Sequence, residues 1–281
     1  MHMFNFPAYV TVWGRVGRVS FVALSLTVLL FLVLPILVVM PLSFNSQPYF
    51  TYPLPGLSLR WYQEFFGSSD WMLALKNTMI TGVVSTVIAT LLGVTASLGL
   101  TSSRIRGKQL ITAVLISPMI VPLIITAVGV YFAFSPLGLT GSLVGLILSH
   151  AALGAPFVVV TVTATLAGFN ETLSRAGRSL GASPLRVFLQ VKLPIIAPGV
   201  VSGALFAFAT SFDEIVVALF LTGPDQRTIP RQMWAGIREQ LSPTILAVAC
   251  LLVVISTLLL LTLEALRRRT ERLRGSSSHV A

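Results

Sequence analysis

Long apolar runs separated by short polar segments make up most of this chain. A helix that spans a membrane needs roughly 20 mainly apolar residues. Six runs qualify: 18–40, 75–100, 110–134, 143–167, 195–222 and 244–266. They predict an all-α integral membrane protein with six transmembrane helices and a single domain over residues 1–281. The segment 267–281, ending in GSSSHVA, is polar and reads as a disordered tail. Arg15 and Arg18 precede the first run in the manner of a signal-anchor, and no small-residue cleavage pattern follows, so a retained helix is expected. Composition agrees with the membrane assignment. Hydrophobic residues make up 55% and charged residues 10%, against roughly 25% charged in a soluble domain, and the mean hydropathy is +0.89.

The formal charge is +10. No basic face alternates with stacking aromatics, so nucleic acid is not the expected partner; the basic residues fall at the ends of the runs and in the short segments that flank them. Arg15, Arg18, Arg104, Arg106, Lys108, Arg175, Arg178, Arg186, Lys192, Arg267, Arg268, Arg269, Arg272 and Arg274 lie on one side. Arg60, Lys76, Arg227, Arg231 and Arg238 lie on the other. The excess of positive charge marks the cytoplasmic side, which predicts that both termini face the cytoplasm. The single cysteine, Cys250, lies in an apolar run and offers neither a disulfide nor a metal site. RIRGKQ (104–109) lacks the leading glycine and the Ser/Thr of a phosphate-binding loop. No catalytic or metal-binding residues and no cofactor are predicted for this chain.

Two loops are longer than connection requires. The outer loop 42–74 carries Tyr49, Phe50, Tyr52, Trp61, Tyr62, Phe65, Phe66 and Trp71. These read as an interfacial aromatic belt or as a docking surface for an external partner. The inner loop 168–194 is helix-compatible over 171–180, is broken by Gly181, and restarts with Ser183 as N-cap and Pro184 in the first helical position. Leu185, Phe188 and Leu189 then share one apolar face, and Leu193-Pro194 is expected to end this short helix before the fifth span. An amphipathic pair lying on anionic lipid would explain the charge. A rigid helix–turn–helix that a motor subunit grips would also explain the order of glycine, capped proline and Leu-Pro.

Inside the fifth run, Asp213 and Glu214 stand side by side in ALFAFATSFDEIVVALFLTG. Counted from Ile195, Asp213 lies about 27 Å along a helix, in the outer half of the membrane. Ionisable residues at such depth face a cavity or a protein partner. Neighbouring residues point about 100° apart on a helix, so one acid is expected to face a translocation cavity and the other to pair with protein; Thr210 and Ser211 lie one turn back as hydrogen-bond donors. The alternative is that both acids are structural. Pro118 and Pro122 predict a kink or a pore-lining break in the third run. His150, near the start of the fourth, reads as an ordinary packed or interfacial histidine.

LGASPLRVFLQVKLPIIAPG resembles the EAA loop of permease subunits in binding-protein-dependent ABC importers of the type I fold. In that family the loop docks into a cleft of the ATP-binding subunit. The resemblance implies this role for Gly181, Ala182, Ser183, Pro184, Phe188, Leu193 and Pro194. Arg175, Ala176 and Gly177 stand where the family has Glu-Ala-Ala, which leaves the glutamate's contact with the ATPase either missing or reversed in sign. SFDEIVVALFLTGPDQRTIPRQMWAGIREQLSPTILAVA, and SLRWYQEFF in the outer loop, resemble the second permease of spermidine/putrescine-type importers. The resemblance implies import of a small cationic solute across a bacterial inner membrane. It also implies a second, different permease, two ATP-binding subunits that hold ATP and Mg, a periplasmic solute-binding protein and surrounding lipid. Within the same class an opine, an amino-acid derivative, a phosphonate or ferric iron are alternative solutes. A self-sufficient secondary transporter or channel would need an internal repeat, and none is visible.

Overall fold

The computed structural model describes residues 12–101, 105–239 and 241–275, with the side chains of all of these except 12, 15, 259, 260 and 263–275. The chain divides into two compact units. One consists of residues up to Phe65 with Ser242–Leu252, and the other of Phe66–Leu241 with residues from Val253 on.

The first unit opens with α1 (Val12–Leu42), a long apolar helix with its side chains turned outward; Phe21 and Phe31 are exposed. The chain then folds over the start of α2 (Arg60–Gly67). Trp61 is buried and donates its indole N–H to the Asn45 carbonyl at 2.6 Å. Asn45 in turn donates to the Tyr49 carbonyl, and the Tyr62 hydroxyl meets Ser43 Oγ at 2.7 Å. Burial pushes the Tyr62 phenol up. Thr244 donates to Glu64 at 3.0 Å. The aromatic residues of this loop therefore divide: Trp61 and Phe65 are core residues, whereas Tyr49 and Tyr52 are exposed.

The second unit is built on α3 (Ser69–Thr101), α6 (Leu143–Ala167) and α9 (Leu193–Phe212). Lipid provides no hydrophobic drive between helices, so small residues that permit close approach are needed at the contacts. A Cβ on Gly203 would lie 2.7 Å from Val158 Cα, one on Gly154 2.9 Å from Ala207 Cβ, and one on Gly93 2.6 Å from Val158 Cγ1. Ala89, Val158, Val162, Ile196 and Ala207 fill the space between these helices.

Between α3 and α6 lie α4 (Lys108–Ile120) and α5 (Leu123–Phe134), and the axis bends by 106° where they join. Pro118 cannot donate to Val114, and the Ser117 hydroxyl takes that carbonyl at 2.8 Å. Val121, ahead of Pro122, is forced to extended backbone with ψ 133. The third apolar run is thus two helices rather than one continuous rod.

The chain continues after α6 with α7 (Glu171–Ser179), α8 (Pro184–Val187), a π-helical turn over Phe188–Lys192, and α9. Leu193-Pro194 does not end a helix, contrary to the sequence expectation. Leu193 donates to Phe188, five residues back, and the widened turn accommodates the proline, which has no N–H of its own. The helical path of the fifth span accordingly runs from Pro184 to Phe212, not over 195–222. After α9 come α10 (Val216–Leu221), α11 (Ile229–Glu239) and α12 (Thr244–Gly275). α12 carries helix through 267–275, where a disordered tail was expected; Leu, Arg and Glu are strong helix formers. Residues 276–281 lie outside the described residues.

Among the described residues, four helical segments are long and apolar enough to cross a membrane: 16–42, 69–101, 143–167 and 184–212. The bent α4–α5 pair makes a fifth if counted as one span, and Thr244–Leu258 adds a shorter apolar stretch.

Candidate functional site

Asp213 and Glu214 do not lie within a continuous helix, which corrects the picture of two side chains 100° apart on one rod. α9 ends at Phe212 and α10 begins at Val216, so the acids occupy the break between them. No glycine or proline makes this break. Glu214 makes it, by turning its carboxylate onto the first amides of α10. Oε1 accepts from Val217 N–H at 2.7 Å and Oε2 from Ala218 N–H at 3.1 Å. The amides at a helix start have no partner within the helix, and a carboxylate there also suits the positive end of the helix dipole.

Glu214 is buried, and His150 of α6 approaches it, with Nε2 3.3 Å from Oε2. His150 is 1% exposed. Its Nδ1 lies 2.7 Å from Ser211 Oγ, and Ser85 of α3 donates to Ser211 Oγ at 3.2 Å. A polar chain, Ser85–Ser211–His150–Glu214, thus connects α3, α6, α9 and α10.

Asp213 points the other way and is exposed. With Thr210, Glu214 and Ile215 it lines a cavity of about 570 Å³ whose opposite wall is the other interrupted helix, Pro118 to Leu123; Leu153 and Phe157 of α6 complete the lining. The two breaks therefore meet at one cavity. Irregular backbone at membrane depth is tolerated where it is buried in protein or lines a wet cavity. The C-terminal ends of α4 and α9 and the N-terminal ends of α5 and α10 all lie at this cavity.

Beyond the break, the segment that leads into α11 is pinned to α3. Asn77 donates to the carbonyls of Asp225 and Arg227, and Thr78 Oγ1 accepts from Ile229 N–H at 2.8 Å. Arg231 donates to the carbonyls of Thr222 and Gly223 just past α10, and burial pulls its guanidinium below the usual arginine range.

In the loop 168–194, Asn170 caps α7 by accepting from Thr172 N–H. At the other end, Ala182 N–H donates to Gly177 and Gly181 N–H to Arg178, the paired bonds that end a helix through a left-handed residue. Gly181 is that residue, with φ +84. Ser183 Oγ then accepts from Arg186 N–H at 3.3 Å to start α8, with Pro184 in its first turn. Gly177 allows Val187 to pack close, and Val187 is buried. Of the predicted apolar face, Phe188 is half-buried, but Leu185 and Leu189 are exposed, as is Leu180 at the tip. Arg175, Ala176 and Pro184 are exposed beside them. Lys192 holds the base of the loop. It donates to Glu171 at 2.6 Å and lies 4.9 Å over the Phe169 ring, and that hydrogen bond holds the Glu171 carboxyl below its usual range.

Residues 89–272 match the protein family described as binding-protein-dependent transport system inner membrane component. The chain belongs to this family. It is therefore a multi-pass membrane permease component of ABC import systems. The permease is 29% identical over 267 residues to the spermidine/putrescine transport system permease protein PotC of Escherichia coli (strain K12), covering 95% of this chain and 99% of the relative. It is 29% identical over 257 residues to the putrescine transport system permease protein PotI of the same organism, covering 89% of each. Its fold matches a chain in the crystal structure of a bacterial ABC transporter involved in the import of the acidic polysaccharide alginate. The TM-score is 0.72 at 17% identity, over 94% of this chain and 99% of that one.

His150, read from the sequence of this permease as an ordinary packed or interfacial histidine, is packed, but against Ser211 and Glu214. It lies in an apolar run, and nothing local signals that it meets a carboxylate near the end of the next span. Asn77, Thr78 and Arg231 were passed over for the same reason, since each acts on backbone that is distant in sequence.

Proposed function

We propose that this permease imports a small cationic solute, a polyamine such as putrescine or spermidine or a related amine, across a bacterial inner membrane. The observation that carries the reading is the exposed Asp213 carboxylate in the cavity where the two interrupted helices meet. The polyamine-transport relatives support the same choice.

In this reading the chain crosses the membrane six times with both termini in the cytoplasm, pairs with a second, different permease, and receives solute from a periplasmic binding protein. Two separate ATP-binding subunits supply the work. The exposed tip around Gly181, with Leu180, Leu185 and Arg175, forms the surface they grip, held rigid by its two capped helices. Arg175 in place of a glutamate calls for an acidic group on the ATPase side.

Asp213→Asn in the assembled complex tests the reading. Two unit charges about 4 Å apart attract by ~4 kcal/mol at an effective dielectric of 20, and each 1.4 kcal/mol is a factor of about ten. Putrescine uptake into proteoliposomes should fall at least ~10-fold, with subunit assembly unchanged. Wild-type uptake by this variant would remove Asp213 from the path and the cationic solute with it.

A further inference from the structure

The break between α9 and α10 presents two adjacent carboxylates to two different environments, and nothing in its own backbone enforces that choice. Both line the cavity, but Asp213 is exposed there, whereas Glu214 is buried with its carboxylate turned onto protein groups. A half-turn of the 213–215 segment would exchange them. A buried carboxylate is retained only where polar partners compensate its desolvation. Two of those partners, the amides of Val217 and Ala218, belong to α10 and would move with the segment. The neighbour that belongs to another helix is His150, whose Nε2 lies 3.3 Å from Glu214 Oε2.

His150 is itself held. Its Nδ1 is engaged by Ser211 at 2.7 Å, and Ser211 is tied to Ser85 on α3. The imidazole therefore has little freedom to rotate, and its Nε2 has no hydrogen-bond partner of its own. At 3.3 Å it is in close polar contact with Glu214 Oε2 without forming an aligned hydrogen bond.

We infer that His150 is a positioning residue for the translocation cavity: anchored on Ser211, it holds Glu214 inward as the cap of α10 and thereby leaves Asp213 as the carboxylate that meets the solute. The inference rests on the reading of Asp213 as a path residue, and it assigns no contact between His150 and the solute.

The test reads the orientation of position 213 directly. In the assembled complex, Cys250, the single cysteine of this chain, is replaced by Ala, and Asp213→Cys is introduced. The rate of labelling by a small, cationic, membrane-impermeant thiol reagent is then measured in detergent. Loss of one polar contact to a charged group corresponds to roughly a tenfold change. With His150 present, position 213 should label readily. His150→Ala should slow labelling about tenfold, and His150→Gln, which keeps a polar group of similar reach, should recover most of the rate. In complexes that retain Asp213, His150→Ala should raise the KM for putrescine uptake by a similar factor, with recovery in His150→Gln.

Equal labelling in His150→Ala and wild type would overturn the inference, as would a His150→Gln variant no better than His150→Ala. If His150→Ala does not assemble, Ser211→Ala provides the same test by freeing the imidazole, and a labelling rate unchanged there would also overturn it. The two readings fail separately. Normal uptake by Asp213→Asn removes the path assignment whatever the labelling shows. A defect in Asp213→Asn together with His150-independent labelling removes the positioning role alone.

Discussion

Asp213 and Glu214 are chemically near-equivalent and adjacent, yet their environments assign them different roles. Asp213 is exposed to the cavity, so neutralising it leaves the fold nearly undisturbed. Glu214 is buried and accepts two backbone amides. An amide side chain has a single oxygen to offer, so Glu214→Gln leaves one amide of α10 without its acceptor and turns an N–H₂ toward buried groups. A buried unsatisfied polar group costs about 1–3 kcal/mol. Thermal inactivation of the purified complex should therefore shift downward for Glu214→Gln and stay at the wild-type value for Asp213→Asn. If the two variants are equally stable, Glu214 does not hold the break.

At the scale of elements, two kinds of glycine behave differently. Gly181 has open space around it, and a Cβ there would touch nothing within 4 Å, but its φ of +84 is strained for any L side chain. The cost of Gly181→Asp is then conformational, about 1–2 kcal/mol, and falls on the turn between α7 and α8. The chain should still insert, while ATP hydrolysis in the reconstituted complex becomes uncoupled from uptake. Normal coupling in that variant would move the ATPase contact elsewhere. Gly203 has ordinary helical backbone and is limited by space, since its Cβ position lies 2.7 Å from Val158 Cα. Gly203→Val must separate α6 from α9, and overpacking typically costs 1–3 kcal/mol or more. The expected result is a fall in folded yield and faster proteolysis between these helices. A variant as protease-resistant as wild type would mean that the α6–α9 contact is looser than this geometry implies.

For the whole molecule, the bent α4–α5 pair decides how many times the chain crosses. A bend of 106° suits either a broken span or a segment that enters and leaves on one side. The distribution of basic residues favours a crossing, because Arg106 and Lys108 precede α4 while no basic residue lies between α5 and α6. Single cysteines placed at Arg106 and at Thr140, in a chain with Cys250→Ala, should react with an impermeant reagent from opposite sides, Arg106 from the cytoplasm and Thr140 from outside. Labelling of both from one side would establish a re-entrant pair and reverse the orientation of everything on one side of it.

Hydropathy alone revealed the long apolar helices because a chain in lipid must satisfy its backbone polar groups within its own helices, but it did not show the bend between α4 and α5 or where the fifth span begins and ends. The turn at Gly181, Ser183 and Pro184 was legible for a similar reason: caps and left-handed glycines act over a few residues. Pro194 shows the limit of such local rules, since a π-turn that reaches back to Phe188 accommodates it without ending the helix. The break at Asp213–Ile215 has no local marker at all. It exists because the Glu214 carboxylate is more stable on the amides of α10, beside an imidazole from α6, than on a continuous helix facing apolar groups. That balance depends on how α3, α6, α9 and α10 pack together, and so only the tertiary structure decides which of the two carboxylates is exposed at the cavity and which is buried.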